Sequence, residues 1–388
     1  MGILHAAREA DIVAGKTTDA YFERTVRILR RRNIHRRVTV EIRAGSLPDG
    51  WSWAVLAGVE EALRTLASLR RKLDGECAPE GSVFHASDPV MQISGDYLDL
   101  CVYETPLLGL LCQASGIATT AARCRIAAGE KELLSFGARR MHPAIAPMIE
   151  RAAFIGGCDG VACLAGARLI REPARGTMPH ALVLCIGDTV EATRAFHDIV
   201  GGEKIPTISL IDTLNDEKFE AIRVAEALGR ELAAVRVDTP ASRRGDIVRL
   251  LREIRWELDL RGRQHVKIFV SGGLDESKLL ELRDVADGFG VGTHISNAPT
   301  VDFALDIVEM DGQPLAKRGK RSGAKVWWQN EDTLQSIVQP RPASRRPGKK
   351  WHAVLQPALR NGRLATKLPT PQQIRGRVLQ QLPKLGLV

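Results

Sequence analysis

Aromatic residues are scarce. Tyr, Phe and Trp make up 5% of the 388 residues, and the three tyrosines are Tyr21, Tyr97 and Tyr103, so a stacking site for a flat ligand has few candidates. Cysteine is present without pattern. Cys77, Cys101, Cys112, Cys124, Cys158, Cys163 and Cys185 are odd in number and contain no CxxC pair, which argues against a disulfide framework and against a cysteine zinc site. Long apolar runs are also missing. No uninterrupted stretch of about 18 apolar residues occurs, and the most apolar candidate, residues 153–170, is cut by Asp159 and several glycines. No membrane association is expected. At the N-terminus, Arg8, Glu9 and Asp11 leave no apolar core for a secretory signal, and Ala6 departs from the myristoylation pattern. A cytoplasmic protein is the expectation.

Acidic residues are nearly absent from one region. From Gln313 onward 16 Lys and Arg stand against 2 Asp and Glu, a balance of +14 within a total of +9, which leaves the preceding residues at −5. The basicity belongs to the tail and the body is mildly acidic. Nucleic acid is therefore not the expected partner, and a basic tail facing an anionic ligand or partner fits better.

What is present is alternation. Residues 1–115 are heterogeneous, with strand patterns at 37–43 and 90–94, a helical pattern at 53–73, and a long helix opening at Glu104-Thr-Pro, where proline in the first turn costs little. From Gly116 the pattern changes. Strand-like runs at 133–136, 160–164, 207–211, 233–237, 266–270 and 288–291 are separated by amphipathic stretches such as 218–228, 247–258 and 277–285. Such spacing implies parallel pairing through crossovers. Without a dinucleotide fingerprint, it favours an irregular, TIM-like α/β barrel of six to seven strands over an open sheet. The expected organisation is an N-terminal α/β domain over 1–115, the barrel over 116–300, and a basic C-terminal extension over 301–388 that packs back on the first domain. The proline- and arginine-rich stretch 340–350 reads as a linker or exposed loop, and the last 38 residues show little periodicity.

The strand ends carry the chemistry. In barrels the site lies at the C-terminal ends of the strands, and here those ends read Gly137-Ala-Arg139-Arg140, Asp212-Thr, Asp238-Thr-Pro, Ser271-Gly272-Gly273 and Gly292-Thr293. Two glycine turns in successive units, Ser271-Gly272-Gly273 and Gly290-Val-Gly292-Thr293, let backbone N–H groups approach a phosphate. Arg236 and Asp238 alternate in period two and face the same way, an arginine for phosphate and a carboxylate for a ribose hydroxyl or hydrated Mg²⁺. Phe136 offers a ring face, with Arg139 beside it. His180 follows the turn Gly176-Thr177-Met-Pro and is a candidate nucleophile for phosphoryl transfer.

The set Thr18-Asp-Ala-Tyr21, Glu104-Thr-Pro, Ser135-Phe-Gly-Ala-Arg-Arg, Gly176-Thr-Met-Pro-His180, Arg236-Val-Asp238, Ser271-Gly-Gly and Lys317-Arg-Gly-Lys-Arg-Ser-Gly resembles the nicotinate phosphoribosyltransferases of the type II phosphoribosyltransferase family, in the right order over most of the chain. The resemblance implies a homodimer or larger homo-oligomer with sites between subunits. It implies condensation of nicotinate with phosphoribosyl pyrophosphate to nicotinate mononucleotide and pyrophosphate, in NAD biosynthesis, with Mg²⁺ as cofactor and ATP as co-substrate. Tyr21 of one subunit and Phe136 of the other would sandwich the pyridine, beside Arg139. Asp159, Thr177, Arg236 and Asp238 would line the pocket. Ser271, Gly272, Gly273, Gly290, Gly292 and Thr293 would cradle the 5′-phosphate, and His180 would take the phosphoryl group from ATP. Lysines of the 317–325 segment are expected to add charge to the site. The competing readings are a decarboxylating quinolinate phosphoribosyltransferase and a non-enzymatic nucleotide- or nucleic-acid-binding protein on the same fold.

Overall fold

The structure, a computed structural model, describes residues 3–201, 205–240, 242–243 and 245–387. The chain divides into two units, residues 1–119 with 298–388, and residues 120–297.

The first unit is built on a seven-stranded antiparallel sheet. From edge to edge it runs Gln313–Pro314, Asp302–Met310, Arg37–Ser46, Pro89–Asp96, Asp74–Cys77, Gln356–Arg360 and Arg363–Leu364. Along Arg37–Ser46 the residues Val38, Val40, Ile42 and Ala44 alternate and are all buried, which turns one face to the core. The helix expected over 53–73 is shorter. Ala54–Val55 pairs as a strand with Val83–Phe84, and helix begins only at Val59. The break is Gly58, whose φ is +84° and whose missing side chain would sit 2.1 Å from the Leu110 carbonyl oxygen. The fully buried run 53–57 has no helical period to distinguish it, and burial made it a strand.

The helix expected at Glu104 runs from Glu104 to Ala128. The helical run Tyr97–Ala128 is long and apolar enough to cross a membrane by length and composition, and half of its most apolar window is buried inside the protein. After residue 313 the tail is far more regular than its sequence. Lys325–Asn330 pairs antiparallel with Ser336–Pro340 and with Trp351–Ala353. The stretch 340–350 is thus an exposed connection inside one small sheet rather than a linker between domains, pinned by Trp328 Nε1 donating to Ser344 Oγ at 2.8 Å. Helix Pro371–Gln381 starts in a capping box on Thr370, and its Gln381 bonds the backbone of Gly81 and Val83.

The second unit carries six parallel strands: β1 (Glu132–Ser135), β2 (Gly160–Val161), β3 (Thr207–Leu210), β4 (Leu232–Val237), β5 (Lys267–Ser271) and β6 (Gly288–Val291). They pair in the order β2-β1-β6-β5-β4-β3. The first strand lies beside the last, Gly288 against Glu132 and Val291 against Ser135, as in a barrel. Among the described residues no ladder joins β2 to β3, so the sheet is a curled barrel open along one seam. The strands are mostly buried and largely apolar, as strands covered on both faces are. Four of the helices between them start on aspartates. Asp188, Asp216, Asp246 and Asp275 each accept backbone N–H bonds as N-caps, which separates them from the acids that directly follow strands.

Candidate active site

A cleft of about 580 Å³ opens at the C-terminal ends of these strands. Most residues singled out in the sequence line it: Phe136 and Arg139 after β1, Thr177, Arg236 and Asp238 at the end of β4, Ser271, Gly272 and Gly273 after β5, and Gly290, Gly292 and Thr293 on and after β6. Gly272 and Gly273 both adopt left-handed φ, +87° and +63°, a turn open to glycine and strained for other residues.

Phe136 sits over strand β6. A Cβ at Gly290 would lie 2.3 Å from its ring, so Gly290 makes room for the aromatic ring, a more specific task than cradling phosphate. Gly288 does the same for Phe269, at 2.2 Å. The alternation of small residues along β6 is therefore set by two rings on one face.

Polar groups form a chain across the cleft. Ser271 Oγ donates to Asp238 Oδ1 at 2.8 Å. Asp238 Oδ2 lies 3.6 Å from Arg236 Nη2 and 3.6 Å from His180 Nε2. Arg236 donates to Thr177 Oγ1, while its Nε is buried with no hydrogen-bond partner among the described residues. Burial lowers the pKa of the Arg236 guanidinium, opposed by Asp238 and Asp212 and reinforced by Arg139. His180 opens helix His180–Ile186, in the connection from β2 to β3, and its Nδ1 is 2.9 Å from Thr213 Oγ1. Arg139, Arg140 and Arg175 line the same cleft, and none has an ion-pair partner among the described residues. Asp238 is the single carboxylate among the described lining residues.

Sequence reasoning left three parts of the site unassigned. Asp212 follows β3 as Asp238 follows β4, and that parallel was its signal. Its side chain is 1% exposed; Oδ2 accepts the Asp238 N–H at 3.0 Å, and Oδ1 lies 3.8 Å from His180 Nδ1. Burial raises its pKa, with the nearby His180 opposing. Glu150, fully buried in helix Ala146–Gly156, accepts from the Ala162 N–H at 3.1 Å behind the cleft wall. Burial pushes its carboxyl up to about 7; the signal was a charged pair, Glu150-Arg151, inside an apolar run. His294 also lines the cleft, with Nε2 2.7 Å from Glu276.

Two expectations fail. Asp159 does not reach the cleft. Its carboxylate accepts the Leu133 N–H at 2.8 Å and pairs with Arg125 at the entry end of β1, because a residue just before a strand is carried to the opposite end from one just after it. The basic segment 317–325 is largely neutralised within its own unit. Lys325 is buried against Glu41 at 2.9 Å, and Lys317 and Lys320 both approach Asp306. Tyr21 belongs to the first unit, exposed on helix Ala20–Arg31, with its ring against Phe22.

Comparison with known proteins agrees with this arrangement. Residues 19–115 match the family model of the quinolinate phosphoribosyl transferase N-terminal domain, and residues 117–306 match that of its C-terminal domain. A solved nicotinate-nucleotide pyrophosphorylase from Pyrococcus furiosus is 50% identical, with a TM-score of 0.95 over 99% of each chain. Human nicotinic acid phosphoribosyltransferase shares the fold, with a TM-score of 0.78 at 20% identity over 95% of this chain and 94% of that one. A nicotinate phosphoribosyltransferase of Mycobacterium tuberculosis is 32% identical over 96% of this chain and 92% of its own length. The quinolinate models describe the related fold, and the chain itself belongs to the nicotinate phosphoribosyltransferase family.

Proposed function

We propose that the protein condenses nicotinate with phosphoribosyl pyrophosphate, forming nicotinate mononucleotide and releasing pyrophosphate in NAD biosynthesis, with ATP hydrolysis coupled through His180. The observation that carries the reading is the meeting, in one cleft, of an aromatic ring, three arginines without ion-pair partners among the described residues, and two glycine turns at the ends of parallel strands.

In this reaction the C1′–oxygen bond to pyrophosphate breaks with its electron pair, and the pyridine nitrogen lone pair forms the new C1′–N bond. No proton need move. Positive charge grows on the ribose as the bond lengthens, so the protein chiefly positions the reactants and neutralises the leaving group. Phe136 stacks the pyridine and Arg139 meets its carboxylate. Arg236, oriented by Thr177 and Asp238, faces the pyrophosphate. The turns at Ser271-Gly272-Gly273 and Gly292-Thr293 take the 5′-phosphate. Asp212 and Asp238 flank His180, so an imidazole between two carboxylates is available to accept a phosphoryl group. The described residues hold no cluster of three or more acids, histidines or cysteines fit to bind a metal by themselves. This suits Mg²⁺, which is commonly held by one or two carboxylates plus substrate phosphates: Asp238 would be its protein ligand, and the ion would neutralise pyrophosphate. In a homodimer, Tyr21 of the partner subunit would close on the second face of the pyridine. The cytoplasm is the compartment this reading assigns.

The deciding assay supplies nicotinate, nicotinamide or quinolinate with phosphoribosyl pyrophosphate and Mg²⁺, with and without ATP. Mononucleotide from nicotinate is expected, faster with ATP; preference for quinolinate with release of CO₂ overturns the reading. In His180→Ala, transfer should persist while ATP no longer accelerates it. Full acceleration in that variant removes His180 from the coupling.

A further inference from the structure

The histidine of the cleft lining has no task in the reaction as described. His294 follows Gly292-Thr293 and lines the cleft with 34% of its side chain exposed. Its Nε2 lies 2.7 Å from Glu276 Oε2, and Arg123 Nε donates to the other oxygen of Glu276 at 3.0 Å. Glu276 begins helix Glu276–Leu282, directly after the Gly272-Gly273 turn and its Asp275 cap. The carboxylate takes a proton-bearing Nε2, which leaves Nδ1 as the ring's second polar atom. In the neutral ring Nδ1 is a lone pair and repels a phosphate oxygen. In the imidazolium it is an N–H that donates a charge-assisted hydrogen bond.

Charged groups of both signs surround the ring. The carboxylates are Glu276, 2.7 Å from Nε2, and the helix cap Asp275 next to it. Arg123 stands behind Glu276, and Arg139 and Arg140 lie on the turn Ala138–Arg140, which packs on Thr293–Ser296 and opposes the charge. Burial alone would raise Glu276, but the His294 hydrogen bond and charge, with Arg123, hold it down to about 2. The negative partner therefore stays ionised wherever the enzyme works.

We propose that His294, held by Glu276 and Arg123, is a proton-dependent ligand of the phosphosugar, binding as an imidazolium the phosphate that the Gly272-Gly273 and Gly292-Thr293 turns cradle. This rests on the phosphoribosyl-transfer reading and adds a coupling to it. The phosphosugar and the proton on Nδ1 strengthen each other's binding reciprocally, so affinity for the sugar falls as the ring loses that proton.

The test is the KM for phosphoribosyl pyrophosphate at saturating nicotinate, with kcat and the nicotinate KM, from about pH 6 to about pH 9. Wild type, His294→Gln, His294→Lys and Glu276→Gln are compared. The substrate's own phosphate titrates near pH 6, roughly, but equally for all four, so ratios to wild type isolate the side chain. His294→Gln should raise the phosphosugar KM about tenfold at the acid end and little at the alkaline end, with kcat and nicotinate KM nearly unchanged. His294→Lys should hold the low KM across the range. Glu276→Gln should move the wild-type step to lower pH. A His294→Gln ratio that is flat with pH, or a KM equal to wild type, overturns the proposal. If His294→Gln loses kcat and nicotinate binding together, its fold has suffered and Glu276→Gln decides: a profile superposable on wild type overturns the proposal. Failure of wild type to turn over nicotinate strikes the underlying reading instead.

Discussion

The two units treat charge in opposite ways. In the antiparallel unit, cations of the basic tail meet buried acids: Lys325 sits on Glu41, and Lys317 and Lys320 share Asp306. In the parallel unit, Arg139, Arg140 and Arg175 converge at the strand ends with no counter-charge among the described residues, and Arg236 has only the more distant Asp238. The same residue types thus meet acids in one region and stand without them, among the described residues, in the other. The tail's excess of +14 pointed to an anionic ligand or partner, whereas Lys317, Lys320 and Lys325 meet acids of their own unit. Net charge located the basic residues correctly but said nothing of their partners.

The largest expected effect that could break this contrast is on stability. Lys325→Met takes the cation 2.9 Å from buried Glu41 and leaves that carboxylate only Arg43, at 4.0 Å, which should cost about 3–5 kcal/mol, read by urea unfolding, while the folded fraction keeps its kcat. A variant that unfolds normally but loses turnover would return Lys325 to the reaction. Arg236→Ala is the mirror case. Removing the cation that faces pyrophosphate should lower kcat/KM roughly 100- to 1,000-fold with a thermal midpoint close to wild type. Loss of stability without loss of kcat/KM would make Arg236 a structural cation like Lys325.

The smallest effect sharpens the comparison at Glu150, a buried acid of the parallel unit with no cation on it in the contacts that set its titration. Its folded pKa, about 7, stands above the ordinary 4.5. The folded state therefore binds this proton more tightly than the unfolded chain does. The resulting stability is full below the unfolded pKa and is lost as pH rises through the folded one. Wild type should lose roughly 1–3 kcal/mol between about pH 5 and about pH 8, and Glu150→Gln should lose less over the same interval. Parallel pH profiles for the two proteins would show that Glu150 is ionised in the fold.

Legibility in the sequence followed the same division. All six strands of the parallel sheet were readable to within a residue or a few, because strands buried on both faces are short apolar runs bounded by abrupt turns. The site residues after those strands came with them. Residues acting from inside helices were not readable: Glu150 and Glu276 belong to no motif, and their roles depend on which side chain faces them across the fold. Asp159 misled because one position before a strand and one after it look alike in a string yet lie at opposite ends of the sheet. The tail hid its strands for another reason. Ser336–Pro340 and Gln356–Arg360 are partly exposed and carry proline, so the two-residue alternation that marks a half-buried strand is blurred. The helical period at 53–73 was cut short by one left-handed glycine.

The missing ladder between β2 and β3 has a mechanical consequence. Five hydrogen-bonded joints hold the other strands edge to edge, and the described connection on the sixth side of the hoop includes the short helix that begins at His180. A cavity fenced in this way can change its girth at that gap without severing a single strand-to-strand bond. His180 is mounted on the span that such breathing would move, while the ring of Phe136 and the glycine turns stay fastened to the rigid staves.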